Sequence, residues 1–85
     1  MEKKMESRVA VISIIVEDNG AAAKLNELLH QYGEYIIGRM GIPYKQKNIQ
    51  IICVAIDAPN DVINGLTGAI GRIKGINARA TFSNV

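Results

Sequence analysis

Two stretches of the chain, Val9 to Val16 and Ile49 to Ile56, are apolar at almost every position. A strand covered on one face alternates apolar with polar residues, so runs without alternation describe strands whose two faces are both covered. Between and after these runs the apolar period lengthens to three and four residues. Ala21, Ala22, Leu25, Leu28, Leu29 and Tyr32 predict one amphipathic helix, and Val62, Ile63, Leu66, Ile70 and Ile73 predict a second.

Local signals punctuate the elements. Glu17-Asp18-Asn19-Gly20 reads as a turn in which Asp18 or Asn19 accepts hydrogen bonds from the amides opening the first helix. Gly33 is expected to supply a left-handed stop to that helix. Tyr35 to Tyr44 reads as a strand, and Gly38, Gly41 and Pro43 assign it to a sheet edge. The polar Lys45-Gln46-Lys47-Asn48 forms a hairpin loop into the strand Ile49 to Asp57. Ala58-Pro59-Asn60 breaks the chain and caps the second helix, Gly75 ends that helix, and Ile76 to Phe82 is a final strand.

The resulting order, βαββαβ, predicts an α+β domain of the ferredoxin-like kind: a four-stranded antiparallel sheet with two helices on one face. The first and third strands are central in that arrangement, and they are the two most apolar here, so local pattern and topology agree. Met1 to Ser7 is expected to be a flexible tail, and residues 8–85 a single domain.

Alternation along each strand sorts the side chains by face. Ala10, Ile12, Ile14, Val16, Ile52, Val54 and Ile56 are expected to meet the helices, joined by Ile36, Met40 and Ile42 from one edge and Ala78, Ala80 and Phe82 from the other. The opposite face then carries Val9, Val11, Ser13, Ile15, Ile49, Ile51, Cys53 and Ala55, bordered by Tyr35, Ile37, Arg39, Arg79 and Thr81. Two helices cannot cover both faces of the sheet. An apolar centre with a polar rim is the anatomy of an interface, so Val11, Ile15, Ile37, Ile51 and Cys53 are candidate contacts in a dimer or tetramer.

Composition narrows the classes of function. With 85 residues and 48% hydrophobic content, the chain is near the small end of domains that hold a core without disulfides or metal, and association would help it. The single cysteine fits a reducing compartment, and no apolar run approaches the length of a membrane span, so a cytoplasmic protein without membrane contact is expected. Ten Lys and Arg against eight Asp and Glu are scattered along the sequence, a balance too even to predict direct binding of nucleic acid. No nucleophile, base and orienting group can be assembled from these residues, which argues against an enzyme.

The segment YIIGRMGIPY (Tyr35 to Tyr44), with RVAVISIIVED near the start and GLTGAIGRIKGI (Gly65 to Ile76), closely resembles the small family of iron-only hydrogenase system regulators. The resemblance runs from about Arg8 to Thr81, and GRMGIPY is its most specific part. It implies an ACT-like fold, similar also to the C-terminal ligand-binding domain of nickel-responsive regulators. The implied role is that of an oligomeric sensor of a small-molecule effector, or an adaptor docking on a protein partner. The alternative is a structural or accessory subunit with no ligand. Nickel-responsive regulators use clustered histidines plus a cysteine for metal and an N-terminal ribbon-helix-helix for DNA, whereas this sequence has one histidine, His30, and seven residues before its first strand. Neither a metal site nor another cofactor is therefore expected, nor a DNA-binding domain of its own.

The remaining candidates are few. Asp18, Asn19 and Gly20 stand where helix-opening amides carry partial positive charge, and similar turns serve ACT domains, which makes them candidate ligand residues. Arg39 is the other, since a guanidinium on the apolar sheet face needs an anion, either a ligand or a carboxylate such as Glu17, Glu34 or Asp57. His30 falls on a polar helix face, and Cys53 reads most simply as a small apolar filler. IIGRMG invites comparison with a nucleic-acid-clamping GXXG loop, but Pro43 and the polar run after it leave no following helix. Gly65, Gly68 and Gly71 in the second helix read as a close-packing stripe.

Overall fold

The structure, a computed structural model, describes residues 6–84. β1 (Arg8–Val16) leads through a short 3-10 turn (Asn19–Ala21) into α1 (Ala22–Gln31). A second 3-10 turn, Gly33–Tyr35, enters β2 (Ile36–Tyr44), and a third, Lys45–Lys47, joins it to β3 (Ile49–Ala58). α2 (Asn60–Gly71) and β4 (Ile76–Phe82) complete the chain. Met1 to Met5, most of the expected tail, lie outside the described residues.

The strands pair in the order β2-β3-β1-β4, every pair antiparallel. β1 and β3 are central, as their double-sided apolar pattern requires. Both helices cover one face. Ala10, Ile12, Ile14 and Val16 of β1 and Ile52, Val54, Ile56 and Ala58 of β3 are buried against Leu25 and Leu29 of α1 and Ile63, Leu66 and Ile70 of α2. Burying a side chain of this size contributes about 1.5–3 kcal/mol, so this single layer supplies most of the apolar stabilisation. Among the described residues no polar or charged side chain is buried.

Three details differ from the sequence pattern. Gly33 opens the 3-10 turn and is not left-handed, because the first helix stops at Tyr32 (φ −102°, ψ 16°) and the chain tightens without reversing. α2 ends at Gly71 and is followed by a turn, in which Gly75 takes the left-handed conformation at φ 87°. Pro59 precedes α2 without any side-chain cap, so Asn60 is the first helical residue and no cap at all.

A fourth difference changes the site. β2 carries a bulge between Ile36 and Gly38: Ile36 opposes Ile56, but Gly38 already opposes Ala55. The extra residue, Ile37, shifts the alternation of everything after it. Arg39 now opposes Val54 on the helix side, while Met40 and Ile42 oppose Cys53 and Ile51 on the open side. Met40 and Ile42 are accordingly 58% and 48% exposed and take no part in the core. Ile36, ahead of the bulge, packs against the core as expected, and so do Ala78, Ala80 and Phe82. Tyr35 packs there too, beside Tyr32 at a ring separation of 6.5 Å, and does not border the open face.

Candidate functional site

The open face can be read in rows across the four strands. Ile42, Ile51, Ile15 and Asn77 form one row; Met40, Cys53, Ser13 and Arg79 the next; Gly38, Ala55, Val11 and Thr81 the third. Tyr44 pairs with Ile49 at one end, and Asp57 with Val9 at the other. The apolar residues occupy β2, β3 and β1, and β4 forms a polar border. Val9, Val11 and Tyr44 are 40–44% exposed. Missing side-chain bulk at Gly38 leaves a shallow depression of about 280 Å³ beside Val11, Met40, Cys53 and Ala55. The described residues thus present a contiguous apolar surface on this side of the sheet.

Of the candidate interface residues, Val11, Ile15, Ile51 and Cys53 lie together on this face. Ile37 is the unpaired residue of the bulge and is 63% exposed. Cys53 is a free, half-buried thiol.

The turn after β1 forms a separate feature. Asp18 Oδ1 accepts from the Gly20 amide at 2.9 Å, the Asp18 carbonyl accepts from Ala21 at 2.9 Å, and the Asn19 carbonyl accepts from Ala22. The amides expected to greet a ligand are thus already satisfied within the turn, and the α1 N-terminus is sealed by the chain itself. Asn19 reaches across to the β2–β3 hairpin, where its Nδ2 donates to Asn48 Oδ1 at 3.1 Å. Asn48 holds a left-handed conformation at φ 57°, which turns the chain into β3. Asn19 and the hairpin residues Tyr44, Lys45, Asn48 and Gln50 line a depression of about 250 Å³. Sequence reasoning found the turn and missed the hairpin half of this pocket; the polar run Lys45 to Asn48 was the available signal.

Arg39 borders the depression at Gly38, but its guanidinium turns away from the open face. It sits on the helix side of the edge strand, and its guanidinium donates to Asn26 Oδ1 of α1 at 2.9 Å. Its anion is replaced by a neutral carboxamide at an exposed position, so the requirement for a ligand or a carboxylate on the open face disappears. Four residues of β2 separate it from Pro43, roughly 13 Å along a strand, which removes it from the Asn19 pocket.

The other candidates resolve as structural. His30 is exposed in the last turn of α1. Gly38 and Gly41 lie within β2 and not in a loop between helices, so the GXXG comparison fails on geometry. Space around Gly65 and Gly71 is open, and a side chain at Gly68 would meet only Arg72, so the glycine stripe does not pack on the sheet. Among the described residues no group of three or more His, Cys, Asp or Glu could hold a metal. No described helix is long and apolar enough to cross a membrane.

Fold and surface together define a small ferredoxin-like domain with helices on one side of its sheet and an uncovered apolar surface on the other. The chain belongs to the TM1266-like family, described as "Iron-only hydrogenase system regulator, putative", whose model matches residues 8–80. A solved structure similar to it is that of an uncharacterized protein, TM1266, from Thermotoga maritima, with 33% identity and a TM-score of 0.87 over 91% of this chain and 98% of that one. A search of curated proteins finds no match.

Proposed function

We propose that this protein is a non-catalytic regulatory module of an iron-only hydrogenase system that works as a homo-oligomer, with the open sheet face as its assembly surface. The observation that carries this reading is the row of exposed apolar side chains on that face, in a chain whose family is named for regulation. An effector, where one binds, is a small polar molecule at the Asn19, Lys45 and Asn48 depression, which offers carboxamide, ammonium and phenol groups at the surface. The family's description as a regulator supports a role without catalysis.

Deletion of the gene in a host that makes an iron-only hydrogenase tests the regulatory role. Hydrogenase activity or transcript level is expected to change, and to be restored by the intact gene but not by a variant with Met40→Lys. Unchanged activity and transcript would refute it.

A second reading, a structural or accessory subunit with no ligand, is favoured by the sealed turn, where the Gly20, Ala21 and Ala22 amides are all taken by the chain itself. The two separate on thermal stability. A sensor melts higher when its effector is present, because a ligand that binds only the folded state stabilises it.

A further inference from the structure

Three connections meet at one end of the sheet, because β1 and β2 finish there and β3 and β4 begin: Val16 opposes both Gln50 and Ile76, and Tyr44 opposes Ile49. Two hydrogen bonds lace them together. Asn19 of the β1–α1 turn donates to Asn48 of the β2–β3 hairpin at 3.1 Å, and the Glu17 amide donates to the Gly75 carbonyl of the α2–β4 turn at 2.7 Å. These connections carry Lys45, Lys47, Arg72 and Lys74 against Glu17 and Asp18, and the Asp18 carboxylate already accepts from the Gly20 amide. At the other end of the sheet the balance reverses, with Glu6, Glu34, Asp57 and Asp61 against Arg8. The chain is therefore electrically polar along its strands, and the Asn19 depression opens at the positive end.

The hydrogen-bonding groups of the depression share this bias. Asn48 Oδ1 is occupied by the Asn19 carboxamide, which orients the Asn48 side chain and leaves its Nδ2 hydrogens without an acceptor among the described residues. The second hydrogen of Asn19 Nδ2 is uncommitted in the same way, and so is the Gln50 carboxamide. Tyr44 spends its proton on Gln46 Oε1 at 2.5 Å. Lys45 adds an ammonium that pairs with no acid among the described residues, and no carboxylate lines the depression. Donors and one positive charge converge there. Because the α1 amides are sealed within their own turn, a ligand meets side chains and not the helix end.

We infer that the ligand class of this depression is a small oxyanion, a phosphate or carboxylate group held by the Lys45 ammonium and the uncommitted amide hydrogens of Asn48 and Asn19. The inference rests on the effector reading given above and adds the charge of the effector. Hydrogen bonds between an ammonium and an anionic oxygen are roughly twice as strong as neutral ones, so Lys45 favours an anion over a neutral molecule of the same shape. At about 250 Å³ the depression is smaller than ordinary ligand pockets of roughly 300–1,000 Å³, which suits a phosphate or a short carboxylic acid. Its groups are exposed, so screening by water and salt keeps the affinity low, with dissociation constants on the order of 1 mM.

Titration of the isotope-labelled full chain with sodium phosphate and, separately, with sodium succinate tests the assignment by NMR, at an ionic strength held constant with sodium chloride. Saturable shifts are expected at the side-chain amides of Asn19 and Asn48 and at the Lys45 backbone amide; the tighter of the two anions identifies the group as phosphoryl or carboxylate. Asn48→Asp keeps a residue that tolerates φ 57° and exchanges the donor for a carboxylate, while Lys45→Gln removes the charge. Both positions are exposed, so native circular dichroism is expected, and each variant is expected to raise the dissociation constant by about tenfold or more. Shifts that do not saturate, shifts as large at Lys74 as at Lys45, or variants within about twofold of the native constant overturn the inference, since ionic screening alone then explains the response. Acetamide, a neutral probe, separates this inference from the reading beneath it. If acetamide moves these signals and neither anion does, the depression takes a polar effector that is not an anion and only the charge assignment falls; if none of the three probes moves them, the effector site falls with it.

Discussion

Replacing Gly75 by alanine probes the joint between the α2–β4 turn and the β1–α1 turn. Gly75 holds φ 87°, a region that disfavours any side chain, at a cost of about 1–2 kcal/mol. A Cβ there would overlap the Cβ of Asp18 and stand 3.4 Å from its amide nitrogen and 3.5 Å from its Cα, so the neighbouring turn must move. Movement threatens two hydrogen bonds: Glu17 to the Gly75 carbonyl at 2.7 Å, and Gly20 to the Asp18 carboxylate at 2.9 Å. Loss of a cap costs about 1 kcal/mol and a backbone hydrogen bond a similar amount. The sum is roughly 3–4 kcal/mol, a large fraction of what holds a domain of this size together. At about 4–8 °C per kcal/mol, Gly75→Ala is expected to melt at least 12 °C below the native protein, with a matching fall in the urea midpoint. Gly75→Asn separates the two causes, since asparagine tolerates the left-handed conformation but carries the same Cβ. It is expected to recover only the backbone part. Full recovery with asparagine, or a loss below about 1 kcal/mol with alanine, would refute the steric argument.

Gly65→Ala acts in the opposite direction: the helix interior gains about 1 kcal/mol of propensity and the new methyl meets nothing within 4 Å, so a higher melting temperature is expected and a lower one would place that helix face in a contact. Met40→Lys puts an ammonium on the β2 side of the open face, at a side chain 58% exposed in the monomer; light scattering is expected to show dissociation with little change in monomer stability, and an unaltered oligomer counts against the face. Cys53 is expected to react with a thiol reagent much more slowly in the native oligomer than in Met40→Lys, whereas equal rates would mean that assembly leaves β3 uncovered. Arg39→Met removes an exposed hydrogen bond to Asn26 and is expected to cost less than about 1 kcal/mol by denaturation, leaving oligomer and effector response unchanged; loss of either returns Arg39 to the site.

Much of the fold was legible because it rests on local pattern. The double-sided apolar runs of Val9–Val16 and Ile49–Ile56 required central strands, and pairing of β1 with β3 and β4 follows. Three- and four-residue spacing at Leu25, Leu29, Ile63, Leu66 and Ile70 selected the buried faces of both helices. The same alternation that sorted these strands failed in β2, since a bulge is one unpaired residue and leaves almost no mark in a period of two. That single residue, Ile37, carried Arg39 away from the open face and brought Met40 and Ile42 onto it.

The candidate site divides in the same way. An apolar face without helices to cover it is a consequence of composition and length, and the sequence alone determines that it exists. Which side chains stand on it, and that Asn19 meets Asn48 across two loops 29 residues apart, are decided by register and by long-range approach. Hydrogen bonding in the β1–α1 turn belongs there as well: the sequence places Asp18 beside helix-opening amides, but only the folded turn shows those amides spent on the chain itself. Local pattern encodes which residues must leave water, whereas their neighbours are chosen by how strands register and turns close, and function depends on those neighbours.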